Sequence, residues 1–95
     1  MKVVVKKILP QYFHDIKHNG KCFELRKDED DIQVGDIVIL SEWDGEKYTG
    51  ARIPVTVHYV LRNTPECGLK DGYCIFCWST LKVFYTRCNT CLIIG

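Results

Sequence analysis

The stretch Gly20-Lys21-Cys22-Phe23-Glu24-Leu25-Arg26 contains a turn glycine, two cations and one carboxylate within seven residues. Within it, apolar Phe23 and Leu25 alternate with charged Glu24 and Arg26, a period of two that is typical of a β-strand. We expect the apolar pair to face the core and the charged pair to lie side by side on the opposite surface. A strand does not need such charges in order to fold, so this strand is the first candidate site.

The residues before this stretch predict a strand followed by a short helix. Residues 2–8 are rich in valine and isoleucine, and Pro10 suits the first turn of a helix that extends to Asn19. Gly20 then ends the helix, because glycine accepts the left-handed conformation common at a helix C-terminus. Lys21 can therefore join the charged pair only from the end of the strand, where Gly20 turns the chain.

The residues after this stretch predict further strands with short connections. The acidic run Asp28–Asp31 is expected to form a solvated loop, since it lacks the glycine and the later glutamate of a calcium loop. Asp36–Trp43, preceded by a Val-Gly turn, is apolar on both faces and should be a central strand. Arg52–Leu61 has its apolar residues on a single face, and its Pro54 indicates an edge or a bulge. Tyr73–Trp78 predicts another strand buried on both sides. Trp43 and Trp78 alternate with apolar neighbours in these buried strands, and we expect both in the core.

This order of elements predicts a mainly β (α+β) fold: a small, strongly bent sheet or barrel with one short helix. With 95 residues the chain is long enough for one core. Its net charge of +1 gives no overall attraction to nucleic acid or to an anionic membrane, so any such binding must come from a local patch. No apolar run approaches the roughly 18 residues of a membrane span, and we expect a cytoplasmic protein with no membrane partner.

Six cysteines are compatible with reduced thiols or with a metal site. Cys74 and Cys77 form one C-x2-C pair and Cys88 and Cys91 a second, the pattern of a four-thiolate zinc site. However, Cys74 and Cys77 fall in a predicted strand, where residues three apart lie on opposite faces and roughly 10 Å apart. We therefore interpret them, with Cys22, as small buried thiols, and we predict no cofactor. Cys88 and Cys91 remain candidate metal ligands, and a zinc-stabilised interaction domain remains an alternative.

Taken in order, six segments resemble the DUF3850 family, which belongs to the ASCH-like domains of the PUA superfamily. The resemblance extends from about Lys6 to Trp78 and rests on Lys7-Ile8-Leu9-Pro10-Gln11-Tyr12-Phe13, Gly20-Lys21-Cys22-Phe23-Glu24-Leu25-Arg26-Lys27, Val34-Gly35-Asp36, Glu42-Trp43-Asp44, Tyr48-Thr49-Gly50 and Gly68-Leu69-Lys70-Asp71-Gly72-Tyr73. It implies a PUA/ASCH-like pseudo-barrel of five or six strands with one short helix over residues 1–78, followed by a C-terminal extension over residues 79–95.

The resemblance also implies a function. The superfamily is linked to RNA binding, and the family's cleft lies beside the first helix at the motif that includes Lys21, Glu24 and Arg26. We therefore expect an RNA- or nucleotide-binding module whose cleft these residues line, with Lys7 and Tyr48 as further contacts. Nothing in the residues indicates a preference for DNA or an oligomeric state. The simpler alternative is a surface ion pair that contributes about 1 kcal/mol or less to stability.

Two further interpretations remain open. A related branch of ASCH-like proteins hydrolyses N4-acetylcytidine with a lysine and a threonine of this motif; Lys21 matches the lysine, but Glu24 stands in place of the threonine. A lysine that acts as base or nucleophile must be neutral, whereas a neighbouring carboxylate favours the charged amine. In the extension, Leu81–Thr86 and Cys91–Ile94 either pair as a hairpin or form a contact with a partner or a lattice neighbour.

Overall fold

Residues 1–79 are described by the structure, a computed structural model. Their elements in chain order are β1 (Val3–Ile8), α1 (Pro10–His18), β2 (Phe23–Lys27), β3 (Ile37–Trp43), β4 (Tyr48–Arg62), a 3-10 turn (Pro65–Cys67) and β5 (Tyr73–Trp78). The five strands form one mixed sheet in the order β1-β3-β4-β5-β2. This confirms the mainly β fold with five strands and one short helix. The sheet is open rather than a closed barrel, and β1 and β2 are its two edges.

The long strand β4 joins the two halves of the sheet. Its first part pairs antiparallel with β3 up to Thr56, and its second part pairs antiparallel with β5 from Val57 onward. A bulge between Val57 and Tyr59 separates the two parts. Pro54 therefore lies where β4 is paired on one side only, which agrees with the prediction of a local edge.

The core fills the inner face of the sheet beneath α1. Phe13 is the buried residue of α1. The strand β3 is paired on both sides, parallel to β1 and antiparallel to β4, but the central strand of the five is β4. Burial of these apolar side chains supplies the main favourable free energy of folding. The core cluster consists of Ile8, Phe13, Ile32, Val38, Leu40, Val55, Val57, Cys74, Phe76 and Trp78.

The faces of β2 are the reverse of those predicted. Phe23 and Leu25 are 46% and 56% exposed, whereas Glu24 is only 6% exposed. Glu24 pairs across the sheet with the fully buried Phe76, so its side chain points to the inner face. The alternation itself is correct, but the assumption that its apolar residues face inward is wrong. Glu24 tolerates burial because cations satisfy both of its oxygens, as described below.

The strand β4 begins four residues earlier than predicted, which places Tyr48 in the strand rather than in a loop. It also does not keep one apolar face. Val57 is 1% exposed but Tyr59 is 58% exposed, because the bulge between them inserts an extra residue and reverses the alternation. Beyond the bulge, Val60 packs against the core instead.

Trp78 belongs to the core as predicted, whereas Trp43 is only partly buried and lies outside the core cluster. Cys74 and Cys77 occupy alternate faces of β5, with Cys74 buried and Cys77 partly buried. Burial raises the pKa of both thiols, which makes the thiolate form needed for metal binding less favourable. The interpretation of these cysteines as buried thiols is therefore confirmed for Cys74 and holds in part for Cys77.

The predicted hairpin of residues 81–94 and the candidate ligands Cys88 and Cys91 lie outside the described residues. Within residues 1–79, no helix is both long enough and apolar enough to cross a bilayer.

Candidate ligand-binding site

Lys21, Glu24 and Arg26 lie together and form what we call the edge cluster. They pair with one another, as the ion-pair alternative also requires. The Lys21 ammonium contacts Oε1 of Glu24. Arg26 donates from Nε to Oε2 of Glu24 at 2.9 Å, and its Nη2 lies 2.8 Å from the same oxygen. The side chains of Lys21 and Arg26 are 14% and 22% exposed, so both cations reach the surface while the carboxylate is nearly covered. The cluster carries two positive charges and one negative charge.

The end of α1 places Lys21 at this cluster. Asn19 caps the helix by donating from its backbone to the Asp15 carbonyl at 2.9 Å. Gly20 then adopts a φ of +74°, which a residue with a Cβ would adopt only with strain. The turn brings the Lys21 N–H back to the same Asp15 carbonyl at 3.1 Å. Lys21 therefore enters the cluster from the end of β2, as expected, and its ammonium also donates to the Phe23 carbonyl.

Arg26 also connects the two edges of the sheet. Its Nη2 donates to the backbone carbonyl of Lys7 at 2.6 Å. Arg26 is in β2 and Lys7 is in β1, which lie at opposite ends of the strand order, so the sheet is curled enough for its edges to meet. The Arg26 side chain thus connects β1 and β2, which are not paired to each other through their backbones. The edge cluster lies beside this connection and next to the turn after α1.

Two aromatic rings flank the ammonium of Lys21. Its Nζ lies 5.6 Å from the ring centroid of Tyr12 and 4.8 Å from that of Phe23. Both distances are within the range of cation–π attraction. Tyr12 is 42% exposed and Phe23 46% exposed, so the cation is bordered by accessible aromatic surface.

The side chains of Lys7 and Tyr48 do not join the edge cluster, although both residues were predicted to line one cleft with it. Only the backbone of Lys7 contacts Arg26. The Lys7 ammonium instead lies 3.9 Å above the ring of Trp43 and 6.0 Å from that of Tyr48. Trp43 and Tyr48 meet edge to face with centroids 5.0 Å apart. Inner and outer faces alternate along β1, and the side chain of Lys7 belongs to the outer one.

We call the outer-face group Lys7, Ser41, Trp43, Tyr48 and Arg52 the outer patch. The register places Lys7 opposite Ser41 and Ser41 opposite Arg52, so three strands contribute to one row. The sequence offered little to identify this group. Ser41 and Arg52 belonged to predicted strands without a distinguishing motif, and Trp43 was assigned to the core.

The Val34-Gly35-Asp36 turn holds the beginning of β1 rather than contributing to the edge cluster. Asp36, 3% exposed, accepts from the Lys2 ammonium at 2.8 Å, the Lys2 N–H at 3.0 Å and the Gln33 N–H at 2.8 Å. The side-chain hydrogen bond from Lys2, and then the two backbone hydrogen bonds, hold the pKa of Asp36 far below its ordinary value. We call this arrangement the Asp36 clamp.

The acidic run after β2 is more than the solvated loop we expected. Asp28 accepts from Arg62 Nε at 2.6 Å and Nη2 at 3.1 Å, and this hydrogen bonding lowers the pKa of the Asp28 carboxyl. Asp30 accepts from Lys6 at 2.7 Å, which ties the loop to β1. Sequence parity could not reveal these partners, because they are 34 and 24 residues away along the chain.

The fold and this charged group together define a small open-sheet domain with a cationic, aromatic-bordered surface at the junction of its two edges. The chain belongs to the DUF3850 family, described as a domain of unknown function, whose profile matches residues 5–77. The match includes the edge cluster and the outer patch. No curated protein matches the chain significantly.

Proposed function

We propose that this protein is an RNA- or nucleotide-binding module of the ASCH-like type in the PUA superfamily, and that it binds its ligand at the edge cluster. The resemblance of the segments around Lys21 to that superfamily supports the proposal, as does the mainly β fold with five strands and one short helix. The four thiols at Cys22, Cys67, Cys74 and Cys77 are consistent with the reducing cytoplasm as its location.

The observation that carries the proposal is the convergence of Lys21 and Arg26 on one carboxylate at the open edge. An ammonium has three donors, and that of Lys21 uses two of them, on Glu24 and Phe23. The guanidinium of Arg26 uses Nε and Nη2, and within residues 1–79 its Nη1 makes no hydrogen bond. The remaining donors suit phosphate oxygens or the carbonyl oxygens of a base.

Glu24 gives this site its selectivity. It holds the two cations in fixed positions and reduces the charge of the cluster to +1. A simple anion therefore gains less than it would from two unpaired cations. A nucleotide gains more, because its base can stack on the exposed ring of Tyr12 or Phe23 while its polar edge meets the remaining donors.

The same geometry favours recognition over hydrolysis of N4-acetylcytidine. The amine of Lys21 is engaged by the Glu24 carboxylate and the Phe23 carbonyl, so it is not positioned as a free base or nucleophile. Incubation of the protein with N4-acetylcytidine tests this directly, and we expect no cytidine to form. Release of cytidine that is lost in Lys21→Gln would replace binding by catalysis as the function of the site.

The binding proposal is tested by titrating labelled single-stranded RNA at low salt. We expect Lys21→Gln and Arg26→Gln each to weaken binding about tenfold and to flatten the salt dependence, because each removes a cation at the site. Lys70→Gln is the matched control, since Lys70 also lies near an aromatic ring, 5.9 Å from that of Tyr73, but on another part of the surface.

Thermal unfolding of each variant separates loss of binding from loss of fold. This matters for Arg26, which also bridges the sheet edges. Wild-type affinity in folded Lys21→Gln and Arg26→Gln would show that the ligand does not bind at the edge cluster.

A further inference from the structure

The outer patch borders a cavity that the edge cluster does not use. The cavity has a volume of about 370 Å³ and is lined by Val5, Ser41, Tyr48, Gly50, Ala51 and Arg52. Sites for small ligands commonly have volumes of roughly 300–1,000 Å³, so one nucleotide-sized group fits this range. Gly50 has a φ of +95°, which shapes the backbone beside Tyr48.

Two cations flank Ser41 in the sheet: Arg52 lines the cavity itself, and Lys7 lies in the adjacent strand β1, outside the lining. Lys7 and Arg52 are both cross-strand neighbours of Ser41, one on each side. Adjacent strands lie about 4.8 Å apart, so the two backbones are roughly 10 Å apart, and side chains of this length can meet one phosphate between them. Within residues 1–79, neither cation has a carboxylate at salt-bridge distance, unlike Lys21 and Arg26.

Ser41 is a polar residue of the cavity lining. The residue is 9% exposed, and within residues 1–79 its hydroxyl makes no hydrogen bond. The hydroxyl oxygen is accessible rather than sealed in the core, so it can donate to or accept from a polar group bound in the cavity. On the wall, Tyr48 is 50% exposed and its ring is supported edge-on by Trp43.

We propose that the outer patch binds one nucleotide unit, with its phosphate between Lys7 and Arg52, near the Ser41 hydroxyl, and its base on the ring of Tyr48. This inference rests on the proposed function, in that it adds a second contact surface for the same class of ligand. Paired cations select the phosphate, and an exposed ring held rigid by a second aromatic is a stacking platform for any base. The unit is supplied either by a free nucleotide or by one position of an RNA strand.

Affinity measurements on the full chain test the site with a labelled oligouridylate of about ten nucleotides, a length that suits sites of this kind. We expect Tyr48→Leu to weaken binding about tenfold through the loss of stacking. Arg52→Gln is expected to lower the slope of log K against log salt by about 0.7, the value for one phosphate contact on a single strand. Lys70→Gln again serves as the control. Wild-type affinity and salt slope in both folded variants overturn the proposal.

Amide chemical shifts show which source supplies the nucleotide and separate this proposal from the previous one. Shifts at Tyr48, Ala51 and Arg52 with uridine monophosphate support a free nucleotide, and shifts there with the oligouridylate alone support a strand. Shifts confined to Lys21 and its neighbours overturn the outer patch while the edge cluster stands. Shifts confined to the outer patch overturn binding at the edge cluster while the outer patch stands. The absence of shifts with both probes overturns both binding sites.

Discussion

Glu24 and Asp36 are two buried carboxylates that hold opposite ends of β1 in different ways. Asp36 fixes Lys2 at the beginning of the strand, and Glu24 positions Arg26, which contacts Lys7 near its end. The two contacts are five residues apart, or roughly 16 Å along an extended strand. Their exposures of 3% and 6% are similar. What differs is the kind of partner.

Two of the three hydrogen bonds to Asp36 come from backbone N–H groups, which only a substitution to proline at the donor residue removes. The partners of Glu24 are side chains, Lys21 and Arg26. The fold needs an acceptor at Asp36, whereas we expect that apolar residues can replace the whole edge cluster without loss of stability. Charges that the fold does not require would have a role other than stability, and the triple variant described below tests this contrast.

The largest effect is expected from removing Glu24 alone. Glu24→Ala leaves two partly buried cations facing each other, and breaking such a group from one side typically costs about 3 kcal/mol of unfolding free energy. Urea denaturation measures this loss. Glu46→Ala, in an exposed turn, is the control and should change stability by only a few tenths of a kcal/mol. Equal midpoints for the two variants would mean that Glu24 is not electrostatically engaged in solution.

A smaller effect is expected from acid, and it should depend on the Asp36 clamp. A carboxylate whose pKa is depressed in the fold contributes stability that is fully present above its unfolded pKa, about 3.9 for Asp, and is lost as pH falls below that value. The urea midpoint should therefore decline below about pH 4. Asp36→Asn should lower the midpoint at neutral pH and make this decline shallower.

The remaining slope in Asp36→Asn should come from Asp28 and Asp44. The hydrogen bond from Arg62 lowers the pKa of Asp28, and backbone hydrogen bonds from Lys47 and Glu46 lower that of Asp44. If the decline were as steep in Asp36→Asn as in the wild type, the clamp would not be the source of the acid sensitivity.

The smallest change in stability is expected when the edge cluster is replaced as a unit. The triple variant Lys21→Met, Glu24→Leu, Arg26→Met removes all three charges together, and such replacements are often neutral or stabilising. We expect unfolding free energy within about 1 kcal/mol of the wild type, with RNA binding at this site lost. A triple variant as unstable as Glu24→Ala would show that the bridge from Arg26 to Lys7 is required by the fold itself.

The sequence predicted the elements well, because each has a local signal. The helix from Pro10 and the strand Tyr73–Trp78 follow from proline, glycine and period-two patterns, and the structure confirms both. The convergence of Lys21, Glu24 and Arg26 was also predicted, from the parity of one strand and the turn at Gly20.

What could not be predicted depends on contacts between distant residues. Parity gives two faces for β2 but does not say which is inner, and the usual choice fails because Lys21 and Arg26 neutralise a buried Glu24. The side chain of Tyr59 points outward because of a bulge after Val57, and no residue type at that position indicates a bulge. The outer patch joins three strands whose register is set only by the folded sheet.

The hydrogen bond from Arg26 to the Lys7 carbonyl also concerns the behaviour of the protein at high concentration. An unpaired carbonyl on an edge strand is an acceptor for a strand of a second molecule, the first step of edge-to-edge aggregation. Arg26 occupies this acceptor with a charged side chain from the opposite edge. The residue that closes the sheet on itself thus also keeps neighbouring molecules from extending it, and self-association is the consequence we expect when it is lost.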